Sequence, residues 1–157
     1  MRTIKARKLC RKQVIQLLRE IGMQDGIGLS DSEIEGTNKI LFWHGVVRNA
    51  KARNKTCYLS YYFPSFENKI SADNDDFIRE VMVAIDVFSK KSFDSKENLD
   101  LLEKLEDVFR DNGFEVEFAD EIFESETSLF HYPLTLYKIY SKGDQNVDSN
   151  NASITAL

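Results

Sequence analysis

Arg79-Glu80-Val81-Met82-Val83-Ala84-Ile85-Asp86-Val87-Phe88-Ser89 is the stretch that decides the fold. In an extended chain Val81, Val83, Ile85 and Val87 share one face, while Met82, Ala84 and Phe88 lie on the other. A strand that is apolar on both faces belongs in the middle of a sheet, with a cover on each side. Helices of the same chain can supply one cover, and a neighbouring subunit is the candidate for the other.

Downstream, Asp94 and Glu97 stand at capping-box spacing, so Asp94 is the expected N-cap of a helix. Leu101, Leu102, Leu105, Val108 and Phe109 form its buried stripe, and Asn112-Gly113 signals its end. Phe114, Val116 and Phe118 alternate with Glu115 and Glu117, which predicts a half-buried strand. A last strand is expected from about Ser128 to Tyr140. Residues 142–157 are polar and aperiodic, and read as a flexible tail to a single domain spanning residues 1–141.

Upstream, residues 40–47 and 56–63 are strand-like and flank the basic segment Arg48-Asn49-Ala50-Lys51-Ala52-Arg53-Asn54-Lys55. The pair reads as a β-hairpin with an arm-like basic tip, and Pro64 ends its second strand. A helix is expected from about Thr3 to Ile21, with Cys10, Val14, Leu17, Leu18 and Ile21 on its buried side and Gly22 as its stop. Residues 23–38, with Gly26, Gly28 and Gly36, read as irregular. The order of helix, hairpin, strand, helix and two strands gives an α+β domain, its antiparallel or mixed sheet carrying two helices.

The 157 residues are enough for one core, and a hydrophobic fraction of 42% is that of a globular protein. No apolar run reaches the roughly 20 residues of a membrane helix. The basic N-terminus has no apolar stretch behind it, so no signal peptide is expected and assembly in a cytosol is. Cys10 and Cys57 fit a reducing compartment as two separate thiols. The net charge of −5 is divided unevenly, with +7 over residues 1–55 and −12 over the rest. Such polarity suits a nucleic-acid face, basic-to-acidic packing between copies, or a solvated helix face.

Residues that carry chemistry are sparse. His44 and His131 each sit next to aromatic residues, in Phe42-Trp43-His44 and Phe130-His131-Tyr132, a setting for packed rather than catalytic imidazoles. Asp73-Asn74-Asp75-Asp76 lacks the glycine of a calcium-binding loop, and Ala84 stands where its bidentate glutamate belongs. Asp120, Glu121, Glu124 and Glu126 are dense enough to keep a two-metal nuclease in view. Gly26-Ile27-Gly28 lacks the Lys-Ser/Thr ending of a phosphate-binding loop. No zinc spacing is present, and no cofactor is expected. Arg2, Lys5, Arg7, Lys8, Arg11 and Lys12 make the first helix basic, but no aromatic stacking platform accompanies them in the sequence.

Tyr61-Tyr62-Phe63-Pro64-Ser65, the strand through Val87, the helix from Leu99 to Phe109, Asn112-Gly113-Phe114 and Phe123-Glu124-Ser125-Glu126-Thr127-Ser128-Leu129-Phe130-His131 follow one another in a familiar order. Over residues 40–140 this order resembles the tail terminator, or tail completion, proteins of long-tailed bacteriophages. The first forty residues match no motif of that family beyond a helix. The resemblance implies an α+β virion protein that is not an enzyme and closes into a ring, usually of six copies. One ring face would cap the tail tube protein and the other would meet the head-completion or stopper protein, with DNA passing through the channel.

On that reading Lys51, Arg53 and Lys55 are arm contacts, and Val81, Val83 and Ile85 belong to a subunit interface. Arg7, Lys8, Arg11 and Lys12 would face the DNA channel or a partner. Other readings are a different neck protein (head-completion or stopper), a tail chaperone, a cytosolic nucleic-acid-binding or nuclease-like module, or an interaction domain of a bacterial host.

Overall fold

A computed structural model describes residues 3–64, 68–69 and 78–141. Arg2, the acidic segment Asp73–Asp76 and the tail expected at 142–157 lie outside the described residues. The elements in chain order are α1 (Thr3–Glu20), β1 (Gln24–Asp25), α2 (Asp31–Gly36), β2 (Leu41–His44), α3 (Ala50–Arg53), β3 (Cys57–Tyr62) and β4 (Asn68–Lys69). They continue as β5 (Ile78–Ser89), α4 (Lys96–Asp111), β6 (Glu115–Phe118), β7 (Ile122–Glu124) and β8 (Leu129–Ser141). One mixed sheet runs in the order β1-β2-β3-β5-β8-β6, with β4 added beside β5 and β7 beside β8. The fold is α+β.

The decisive strand is central, as its two apolar faces require. β5 pairs antiparallel with β3 on one side and with β8 along its whole length on the other. Val81, Val83, Ile85 and Val87 are fully buried in the main core with Cys10, Val14 and Leu18 of α1 and Leu105 and Phe109 of α4. Each fully buried branched side chain of this kind contributes roughly 1.5–3 kcal/mol.

β2 and β3 are not a hairpin. They run parallel, with Leu41 opposite Tyr58 and His44 opposite Tyr61. Parallel neighbours need a crossover of about a dozen residues, and residues 45–56 supply it. The basic segment is therefore not an arm tip but the short helix α3. Asn49 caps it, its side-chain oxygen accepting from the amides of Lys51 at 2.8 Å and Ala52 at 3.1 Å.

Residues 23–38 are also more ordered than their glycines suggest. Ser30 and Glu33 make a reciprocal capping box that starts α2, and Gln24 and Asp25 pair with Leu41 and Phe42. Ala52 of α3 and Ile34 of α2 pack with Leu41, Val47, Tyr58 and Leu129 into a second, smaller core on the opposite face of the sheet. The sheet thus carries α1 and α4 on one face, and α2 and α3 over one end of the other.

The N-cap of α4 is Ser95, one residue later than expected, and its side chain makes no capping bond. Asn98 takes over the task of fixing the turn. Its buried amide nitrogen donates toward Ser89 Oγ at 3.1 Å and toward the carbonyls of Lys91 and Ser92, both at 3.0 Å. At the far end Asn112 is the C-cap and Gly113, at φ +87°, ends the helix as predicted.

Candidate functional site

Three surface features come from elements far apart in sequence. The first is a pocket of about 390 Å³ lined by Ile4, Arg7, Lys8, Arg11, His44, Tyr62 and Phe63. Residues 4, 7, 8 and 11 recur at three- and four-residue spacing, so α1 turns all four toward the ends of β2 and β3. The Arg7 guanidinium donates to the Pro64 carbonyl at 3.2 Å.

His44 stacks on Tyr61 with ring centroids 5.1 Å apart and lies edge-on to Phe63 at 6.1 Å. Burial, helped by the Arg11 charge, holds the His44 imidazole below its usual value, so it is neutral at pH 7. Burial pushes the Tyr61 phenol up, and the Arg11 side chain beside it offsets part of that rise. The pocket can take an anionic group against its cations and a flat or apolar group against its rings.

The second feature is an aromatic row across the other face of the sheet. Trp43 meets the edge of Tyr58, Tyr58 stacks on Phe88 at 5.0 Å, and Phe88 stacks on His131 at 4.6 Å. His131 closes the row between two carboxylates, with Nε2 2.7 Å from Asp86 and Nδ1 3.2 Å from Glu124. Its side chain is only 18% exposed. The arrangement ties β5, β7 and β8 together and fits the expectation of a packed, hydrogen-bonded histidine.

Beyond β7 the turn back into β8 carries Ser128 in the left-handed region, at φ +56°. Thr127 Oγ1 donates to Glu124 at 3.1 Å. Ile122 and Phe123 point outward from this hairpin, 50% and 55% exposed. The inner side of Phe123 leans on Phe130 at 4.9 Å.

The third feature is the part of the second sheet face that α2 and α3 leave uncovered. Tyr62 lies beside Ala84 there, and Met82 beside Tyr137. Tyr62 is 42% exposed and Ile139, opposite Glu80, is 53% exposed. Glu115 and Glu117 pair with Tyr137 and Thr135 and add acid to this face.

The residues singled out in the sequence divide accordingly. Arg7, Lys8 and Arg11 are brought together in the pocket, while Lys12 is exposed outside its lining. The aromatic partners that the sequence lacked near these cations are supplied by β2 and β3.

Lys51 and Lys55 are tethered rather than extended. Lys51 forms an ion pair with Glu35, which raises its pKa through that hydrogen bond and charge. Lys55 Nζ donates to the carbonyls of Glu35 at 3.2 Å and Thr37 at 3.0 Å, where a cation suits the end of α2. Arg53 is exposed. Val81, Val83 and Ile85 lie in the core beneath α1 and α4, so these three side chains present no surface to a neighbour. The face of β5 turned away from α1 and α4 bears Met82 and Ala84, both partly exposed.

The acids of residues 120–126 do not converge. Glu121 accepts from the Phe93 amide at 2.6 Å and the Ser92 hydroxyl at 3.2 Å, while Glu124 faces His131. Among the described residues no group of three or more His, Cys, Asp or Glu is placed to hold a metal. Nor is any helix among them long and apolar enough to cross a membrane. Cys10 is buried and Cys57 half-buried. No protein-family model matches the chain, and no curated protein matches it either.

Proposed function

We propose that this protein works by assembling with other chains, as a ring-forming tail terminator at the neck of a long-tailed phage particle. It would cap the tail tube and join it to the head-completion protein. The observation that carries the assembly part is the strip of sheet along β3, β5 and β8 that no helix covers among the described residues. An apolar strip bearing Tyr62, Met82, Tyr137 and Ile139, flanked by carboxylates, is the kind of surface that a partner buries. The order of motifs over residues 40–140 supports the terminator part. The proposed mechanism is binding energy repeated around a closed symmetry, without covalent chemistry.

The test is to image the purified protein by negative stain, alone and after addition of tail tube protein. Rings with a central pore at tube ends are expected, and tubes that keep growing in its presence would refute the reading. A different neck role would show instead as binding to the head-completion protein without an effect on tube length.

A second reading, a nucleic-acid-binding module, is favoured by the rings of His44 and Phe63 beside Arg7, Lys8 and Arg11. It requires that the isolated protein bind a labelled single-stranded oligonucleotide with an affinity that falls steeply as salt rises.

A further inference from the structure

We propose that the basic pocket on α1 receives the β7–β8 hairpin of a second copy of this chain, with Phe123 as the inserted side chain. The proposal rests on the assembly reading above and names the two surfaces that would meet. The pocket combines three cations with the exposed apolar surface of Ile4 and the ring of Phe63, which packs against His44 and Tyr61. The hairpin combines two exposed apolar residues, Ile122 and Phe123, with the exposed acids Asp120 and Glu126 on either side. Each surface has an apolar centre and a charged rim, and the rims are of opposite sign.

Size and rigidity agree. An apolar cavity of about 150 Å³ already takes a benzene ring, so the pocket of about 390 Å³ has room for a phenyl group and its neighbours. Burying one aromatic side chain removes roughly 150–250 Å² from water. The hairpin is set before docking, because Glu124 is held between His131 and Thr127 and Phe123 already leans on Phe130. Preorganisation of this kind reduces the entropy lost on association.

The two surfaces cannot meet within one chain. Tyr62 pairs with Ala84, whereas Phe123 pairs with Phe130, which in turn pairs with Ser89. Five residues along the strands separate them by roughly 16 Å, and they lie at opposite margins of β5. Distinct surfaces at diagonal corners make a heterologous, head-to-tail contact, which closes into a ring when the rotation permits.

The test uses the full chain in two charge-reversed forms, Lys8→Glu with Arg11→Glu and Asp120→Lys with Glu126→Lys. All four side chains are exposed, so both forms should fold, and circular dichroism checks that they do. Sedimentation velocity then reads self-association over a wide concentration range. Each form is expected to associate about 100-fold more weakly than the wild type, since like charges now face one another.

An equal mixture of the two forms is expected to recover assembly beyond the dimer, because the unaltered hairpin of one meets the unaltered pocket of the other and the two reversed surfaces again carry opposite charges. A mixture that associates no better than either form alone would overturn the contact. Wild-type assembly in both forms would overturn the pocket–hairpin contact and leave the assembly reading standing. A wild type that stays monomeric at every concentration would overturn the pocket–hairpin contact, and the tube-capping assay decides the assembly reading separately. Unchanged assembly with lost oligonucleotide binding in the Lys8/Arg11 form would give the pocket to nucleic acid instead.

Discussion

Replacing His131 by alanine should unfasten the hairpin from the sheet, and the size of the effect follows from what the ring touches. The substitution removes the 2.7 Å contact of Nε2 with Asp86 and the 3.2 Å contact of Nδ1 with Glu124. It also removes the stack on Phe88, whose plane is 16° from that of the imidazole. With 18% and 17% of the two side chains exposed, the His131–Asp86 pair is neither a surface bridge nor a deeply buried one. A hydrogen bond to a charged group contributes about 1.5–3 kcal/mol, and a stacked pair about 0.5–1.5 kcal/mol. The expected loss is therefore about 2–4 kcal/mol, or roughly 5–15 °C in Tm for a chain of this length. Urea denaturation of the wild type, His131→Ala, Asp86→Ala and the double variant measures it. A coupling of at least about 1 kcal/mol is expected between the two positions. Single effects that simply add, within about 0.5 kcal/mol, would show that the contact does not form in solution.

Gly26→Ala should be costly despite its small size, because a Cβ there overlaps the Trp43 indole. A loss of about 1–3 kcal/mol is expected, together with a red-shifted emission from this sole tryptophan; unchanged emission and midpoint would refute it. Burial pushes the Cys57 thiol up to about 12, and Cys10 is fully buried. Iodoacetamide at pH 8 should therefore label the native protein at least about a hundredfold more slowly than the urea-unfolded chain, and equal rates would contradict the burial. His44 is held below its ordinary value of 6.5, so the unfolded chain takes up a proton more readily than the folded one. Its contribution to stability is thus complete above pH 6.5 and is lost as the pH falls below it. The wild type should lose more stability than His44→Gln between pH 7 and 5, and parallel curves would exclude this role.

The sheet centre was legible because β5 announces itself by composition, with apolar residues on both faces over a length no loop would carry. α1 and α4 were legible from their stripes, and β6 from alternation. The hairpin reading of residues 40–63 failed for a physical reason. Strand direction depends on what packs beneath the connection, and here Val47 and Ala52 of the connection pack with Ile34 and Tyr58 in the second core, a long-range contact that no local pattern announces. The capping box of Ser30 and Glu33 was present as a local signal, but the surrounding glycines outweighed it. The basic stripe of α1 was visible, whereas its aromatic partners were not, since nothing local links residue 7 to residue 62. His131 shows the same limit, its carboxylate Asp86 lying 45 positions away.

The ladder between β5 and β8 bears on how the chain reaches this structure. Its twelve registered pairs join positions about forty to sixty residues apart, so the intervening chain must be gathered before the first of them can form. α4, with its local stripe and glycine stop, can take shape during that gathering and bring β6 toward the growing sheet. The slow step is then expected to be the closure of β8 onto β5. Backbone amides in the middle of the ladder should exchange with solvent only when the whole molecule unfolds, while those of β1 and α2 escape through smaller openings.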